Sequence, residues 1–174
     1  MKKGQVWIET VLYTLIGLAI MGVILSIVKP TLDQKRDELV LNQAVEILEA
    51  IEGQISDVIY RGEGNTRTVE VTLKKGQIII STANDSIDLY MDSKHLYSEI
   101  DREVNVGKII VKTTEKAKKS YFVHMSLKYP HYDLIYDGQD REKTLQHSST
   151  PYKIAITNQG KQGEDRTKID FIVT

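Results

Sequence analysis

The chain opens Met1-Lys2-Lys3-Gly4-Gln5-Val6-Trp7-Ile8-Glu9 and continues from Thr10 to Val28 as TVLYTLIGLAIMGVILSIV. Those 19 residues carry no charge. As a helix rising about 1.5 Å per residue they extend roughly 28 Å. The hydrocarbon core of a bilayer is about 30 Å thick. Lys29 and Pro30 close the run, and Lys2 and Lys3 precede it. Lysines on the leading side predict a cytoplasmic N-terminus, with the downstream chain on the other side of the membrane. A secretory signal peptide has a shorter apolar region, about 7–15 residues, followed by a small-x-small cleavage site. The exit here, Leu25-Ser26-Ile27-Val28-Lys29-Pro30, has no such site. A buried core helix is normally shorter or amphipathic. The expectation is a membrane-spanning helix.

Glu9 stands at the cytoplasmic lip of this run. A carboxylate at the membrane edge is either a hydrated interfacial group or a functional one. Its surroundings narrow the choice. A short basic leader ends in Gly4, Gln5 follows, and Glu9 is then the fifth residue counted from Gln5. This pattern resembles that of the type IV prepilins, and the Gln start resembles the archaeal kind with a class III signal peptide. Their common Gln-x-Ser-x-Glu reads here Gln5-Val6-Trp7-Ile8-Glu9, with Trp7 in the place of Ser.

The resemblance implies cleavage between Gly4 and Gln5 by a membrane-bound prepilin peptidase. It implies a subunit held in lipid by its apolar helix, then polymerised through that helix by a membrane-embedded assembly platform. The partners it implies are identical subunits or other pilin-family subunits. Glu9 would pair with the new α-amino group of Gln5 on a neighbour and set register, because buried ion pairs specify geometry more than they stabilise. Gly17 and Gly22 are small, but their spacing is not that of a GxxxG pair.

Beyond Pro30, which either starts a helical stretch or kinks one, the sequence is strongly helical to about Tyr60. Leu41, Leu48 and Ile55 recur every seven residues, and Ala44, Ile51 and Val58 repeat them at an offset of three. Val45, Ile47 and Ile59 widen the stripe beyond a coiled-coil seam, which suits a helix lying on a domain core. Asp37, Glu38, Glu46, Glu49, Glu52 and Asp57 are assigned to the opposite side. From Lys29 to Tyr60 there are three basic and seven acidic residues. The helix is expected to stop at Tyr60-Arg61-Gly62, with Arg near the negative end of the dipole and Gly as the left-handed cap.

From Arg67 the period changes to two. Arg67 to Leu73 alternates, Lys74-Lys75-Gly76 signals a turn, and Gln77 to Ser81 returns, which predicts a hairpin. Further strands are expected at Ile87–Met91, Lys108–Thr113, Tyr121–Lys128, Tyr132–Tyr136, Tyr152–Thr157 and Thr167–Val173. Lys143–Gln146 reads as a short strand or an irregular edge. Turns are expected at Asn105-Val106-Gly107, Lys116–Ser120, Asp137-Gly138 and Asn158–Gly163. The whole is an α+β chain: a long N-terminal helix followed by an antiparallel β-sandwich-like head. Its segments are a leader at 1–4, the apolar helix at 5–29, the amphipathic helix at 30–62 and an extracellular head at 63–174.

Charge is nearly balanced, 23 Lys+Arg against 24 Asp+Glu, which argues against a general basic field for nucleic acid. The absence of cysteine removes disulfides, thiolate metal sites and a Cys nucleophile. His95, His124, His131 and His147 have no HExxH spacing. Asp133, Asp137, Asp140 and Glu142 crowd one segment without the spacing of an EF-hand loop. Lys116, Lys118 and Lys119 read as a solvated hairpin end. Serine-nucleophile motifs, phosphate-cradling loops and dinucleotide fingerprints are absent from the sequence, so neither an enzyme nor a cofactor is expected. Asn84-Asp85-Ser86 is an N-glycosylation acceptor pattern in an expected turn. The competing reading is an uncleaved single-pass anchor whose β-rich ectodomain binds a ligand or partner. It assigns Glu9 no role.

Overall fold

The computed structural model describes residues 2–161 and 166–174, with side-chain surroundings from Trp7 onward. Helix α1 spans Lys2–Arg61. The chain divides into two compact units, Met1–Arg36 and Asp37–Thr174.

In the first unit every residue from Trp7 to Leu32 is exposed. The helix is long and apolar enough to cross a membrane. Three of its hydroxyls are satisfied within the helix itself. Thr14 Oγ1 donates to the Thr10 carbonyl (2.8 Å), and Ser26 Oγ to that of Val23 (2.7 Å). Thr31 Oγ1 donates to the Ile27 carbonyl (3.3 Å). Such back-bonding removes the cost of carrying a hydroxyl into an apolar medium. The helix runs on through Pro30, whose missing N–H leaves the Ser26 carbonyl without its usual partner four residues on.

In the second unit α1 continues to Arg61 and ten strands follow it. The expected stripe is the buried one: Leu41, Leu48, Ile55 and Val58 are fully enclosed, and Ala44, Val45 and Ile51 nearly so. Gly62, with φ of +86°, ends the helix and donates its N–H to the Val58 carbonyl (3.2 Å). One acid departs from the expectation. Asp37 is buried rather than facing solvent, because Lys75 and the backbone of Lys94 close over its carboxylate.

The strands are β1 (Thr66–Val71), β2 (Gln77–Ser81), β3 (Ser86–Ser93), β4 (Glu103–Val106), β5 (Ile109–Ala117), β6 (Ser120–Lys128), β7 (Tyr132–Tyr136), β8 (Lys143–Gln146), β9 (Tyr152–Lys161) and β10 (Thr167–Val173). They form a four-stranded sheet, β1-β9-β10-β7, and a six-stranded sheet, β4-β5-β6-β3-β2-β8. All pairings are antiparallel except β10 with β7, which is parallel. One hydrophobic cluster draws on α1 and both sheets. In β9 the buried Ile154 and Ile156 alternate with the exposed Lys153 and the half-exposed Ala155 and Thr157, the period-2 pattern of a sheet covered on one face. The α+β class is as the sequence predicts.

Four local expectations are corrected. β1 and β2 do not form a hairpin: β2 is flanked by β3 and β8 and offers β1 no edge, while β1 pairs along its whole length with β9. Asn105 and Val106 belong to the edge strand β4, which escapes a periodicity search because it buries almost nothing. The Lys116–Ser120 turn shrinks to Lys118-Lys119, since Ala117 and Ser120 pair. Asn158 to Lys161 extends β9 past a register shift opposite Lys168 and Ile169, while residues 162–165 of that expected turn lie outside the described residues.

Candidate functional site

The predicted cleavage and assembly residues lie at the start of α1. Gly4 and Gln5 fall in its first turns, but their side chains lie outside the described residues. Glu9 is exposed. Trp7, Ile8, Leu12 and Tyr13 around it are all more than half exposed. A continuous sleeve of uncovered apolar side chains therefore begins beside a single carboxylate. In water such a surface costs about 25 cal/mol per Å². A bilayer or a packing of similar helices removes that cost.

In the second unit the sequence-singled residues are scattered. Asn84 is exposed in the turn between β2 and β3, and its side-chain nitrogen donates to Ser81 Oγ (3.3 Å). Ser86 of the same pattern is buried, with its hydroxyl on Asp88 Oδ2 (2.6 Å). The four histidines do not converge. His95 lies 3.8 Å from a Glu38 oxygen, and His124 meets Asp88 Oδ1 at 2.7 Å. His131 and His147 line separate surface depressions. Among the described residues no three His, Asp or Glu side chains are grouped to hold a metal ion. Two of the acids between Asp133 and Glu142 have separate partners. Asp137 pairs with Arg141 (2.6 Å), and Glu142 accepts from Ser81 Oγ (2.8 Å). Lys116 sits over the Phe122 ring and on Asp92, while Lys118 and Lys119 are solvent-exposed at the hairpin end.

Two polar constellations escape a reading of the sequence. On β3 and β6, Tyr90 stacks on His124 with centroids 4.5 Å apart, and on Phe122 at 5.8 Å. His124 and Ser86 both hydrogen-bond Asp88. Burial raises the Asp88 carboxyl, but these hydrogen bonds outweigh it and hold the group below its ordinary value. The second constellation is on α1. Glu52 Oε1 accepts from Ser56 Oγ (2.6 Å) and from Lys108. Partial burial opposes ionisation of Glu52, and the Lys108 and Ser56 bonds overcome it. Cross-strand alternation on β3 and β6 gave a signal for the first, since Tyr90 is directly opposite His124. The second depends on a contact 56 residues apart and had none.

Comparison of the chain with protein-family models, curated proteins and solved structures finds no match.

Proposed function

We propose that the chain is a structural, non-enzymatic subunit of an archaeal type IV pilus-like surface filament. A prepilin peptidase removes the leader after Gly4, the apolar helix holds the subunit in the membrane with its head outside, and polymerisation then buries that helix among its copies. The observation that carries this reading is the uninterrupted exposure of Trp7 to Leu32 with Glu9 at its start. A span that only anchors needs the apolar length but has no use for a carboxylate at its lip. A filament core does: Glu9 of an incoming subunit pairs with the amino group of Gln5 on its neighbour, and an unpaired charge in that low-dielectric core penalises wrong register.

The test is the N-terminal residue of the protein from native membranes or shed filaments, together with Glu9→Gln. The reading expects Gln5 as the first residue, with the apolar helix retained. It expects Glu9→Gln to remain in the membrane and fail to enter filaments. An intact Met1 or Lys2 in a host with active prepilin peptidase, with Glu9→Gln indifferent, favours the uncleaved anchor with a binding ectodomain. A start beyond Val28 means a removed signal peptide and overturns both.

A further inference from the structure

The turn between β2 and β3 carries the one Asn-x-Ser/Thr pattern in the chain, Asn84-Asp85-Ser86. Asn42, Asn65, Asn105 and Asn158 have no Ser or Thr two residues on. The three residues of the pattern have different surroundings. Asn84 and its neighbour Ala83 are exposed. One Nδ2 hydrogen of Asn84 goes to Ser81 Oγ (3.3 Å). Nδ2 carries two, and the other is the one a glycan replaces. A bulky, solvated glycan needs such a surface position.

Asp85 and Ser86 are buried. Asp85 is fastened at three points. Its Oδ1 accepts from the Leu134 N–H (3.0 Å), its Oδ2 from Arg166 (2.6 Å) and its carbonyl from the Tyr129 N–H (2.8 Å). Ser86 Oγ donates to Asp88 Oδ2 (2.6 Å), and bonds to a carboxylate are among the stronger kind. The Ser86 backbone lies between two strands, opposite Ser81 on β2 and Lys128 on β6. Glycan transfer to this pattern needs two groups at once: the Asn amide reacts, and the Ser or Thr hydroxyl is recognised by the transferase. In the folded head the amide is open and the hydroxyl is engaged elsewhere.

We propose that Asn84 is an N-glycosylation site that is modified outside the membrane before the head folds. The donor is an oligosaccharide carried on a lipid phosphate. Asn84 Nδ2 attacks its anomeric carbon. A C–N bond forms, the anomeric C–O bond breaks, and its electron pair leaves with the lipid phosphate. The displaced amide proton passes to a base on the transferase. Folding then closes Asp85 and Ser86 and leaves the glycan on the exposed Asn84. The inference rests on one part of the preceding proposal, export of the head. It does not rest on cleavage after Gly4 or on assembly.

The test starts with the protein from native membranes. Trypsin cuts after Lys75 and Lys94 and releases residues 76–94, which include Asn84. Mass spectrometry is expected to find a glycan mass on Asn84 in that peptide. Asn84→Gln and Ser86→Ala are each expected to abolish it, and Ser86→Thr to keep it. Misfolding does not explain a loss in Ser86→Ala, because a loosened head exposes the pattern more. A bare wild-type peptide, or a glycan that persists in Ser86→Ala, overturns the site. Protease treatment of intact cells separates the two kinds of failure. A bare Asn84 on a protease-accessible head refutes this inference alone, whereas a protected head refutes export and both proposals with it. The order of events has its own measurement. Folded, unglycosylated full chain in non-ionic detergent is incubated with native-host membranes that carry the transferase and its lipid-linked donor, beside a synthetic 76–94 peptide. The peptide is expected to be modified at least about tenfold faster, the factor for breaking one hydrogen bond to a charged group. Equal rates, or faster modification of the folded chain, overturn the order.

Discussion

The side-chain amide of Asn158, in β9, donates to the main-chain carbonyl of Val58, in the last turn of α1, at 3.1 Å across 100 residues of sequence. The rest of Asn158 is equally engaged. Its Oδ1 accepts from the Gly160 N–H (2.9 Å), its N–H donates to the Asn65 carbonyl (3.0 Å), and its carbonyl accepts from the Gly64 N–H (2.8 Å). A buried asparagine thus joins the helix end, the loop after it and the four-stranded sheet. Carbonyls of a last helical turn need outside donors, and Asn158 supplies one. Asn158→Ala is expected to destabilise the head by about 1–3 kcal/mol, the cost of leaving buried polar groups unpaired. Asn158→Asp is expected to cost at least as much, because a carboxylate cannot donate to Val58. Urea unfolding in non-ionic detergent, followed by tyrosine fluorescence, measures both. A loss below about 0.5 kcal/mol would mean that water replaces the bond freely.

Asp37 plays the corresponding part at the other end of the buried stripe. Its Oδ1 accepts from Lys75 Nζ and its Oδ2 from the Lys94 N–H, both at 2.7 Å. The two bonds differ in worth. The Lys75 side chain is 40% exposed, so its ion pair is screened. The Lys94 bond joins a buried carboxylate to backbone. Lys75→Met is therefore expected to cost less than about 1 kcal/mol, and Asp37→Ala about 1.5–3 kcal/mol. Equal losses in the two variants, read from the same unfolding curves, would show that the ion pair carries the contact.

The contrast between Leu48 and Asp37 says what a sequence discloses. Leu48 and its heptad partners are legible because burial of a helix face repeats in register with the chain. Asp37 breaks the pattern because its partners lie at positions 75 and 94, and no local period encodes them. The same holds for the sheets. Alternation locates β2, β3 and β6, yet Lys74-Lys75-Gly76 imitates a hairpin turn while connecting two different sheets. β4 is missed because an exposed edge strand has no apolar face to declare it. Of the candidate sites, Gly4 to Glu9 is readable as a linear pattern. The Glu52, Ser56 and Lys108 constellation is not, since Lys108 reaches α1 only through folding.

Gly76 holds that connection between sheets in a conformation no other residue adopts cheaply. Its φ is +84°, and a Cβ placed on it would lie 2.3 Å from the Tyr90 carbonyl oxygen and 2.8 Å from Met91 Cβ. Both obstacles belong to the central strand β3, which is paired on each side and cannot withdraw. Gly76→Ala is expected to cost about 2–4 kcal/mol from the left-handed backbone and overpacking together. Gly64, also at positive φ but with open space around its Cβ position, gives the control: Gly64→Ala should cost only the backbone share, about 1–2 kcal/mol. If the two variants lose equal stability, the close approach to Tyr90 is not limiting.

Asp88 makes the head sensitive to acid. Its carboxylate is buried and accepts from Ser86 Oγ (2.6 Å) and meets His124 Nε2 (2.7 Å). Tyr90, stacked on that imidazole, is pushed up by its own burial first and by the Asp88 and Glu142 charges second, so it stays neutral throughout the range concerned. The folded carboxyl of Asp88 sits below its unfolded value of about 3.9. The unfolded chain therefore binds a proton more readily than the folded one. The resulting stability is fully present above about pH 4 and is lost as pH falls through the lower, folded value. Glu52 and Asp57, also held low by their Lys and Arg partners, add slope in the same direction. Asp88→Asn removes one share and leaves theirs. The expectation is a wild-type protein more stable than Asp88→Asn at pH 7, with the gap narrowing steadily between about pH 4 and pH 2. Urea midpoints across that range measure it. A gap that stays constant with pH would place the worth of Asp88 in hydrogen-bond geometry alone and not in its charge.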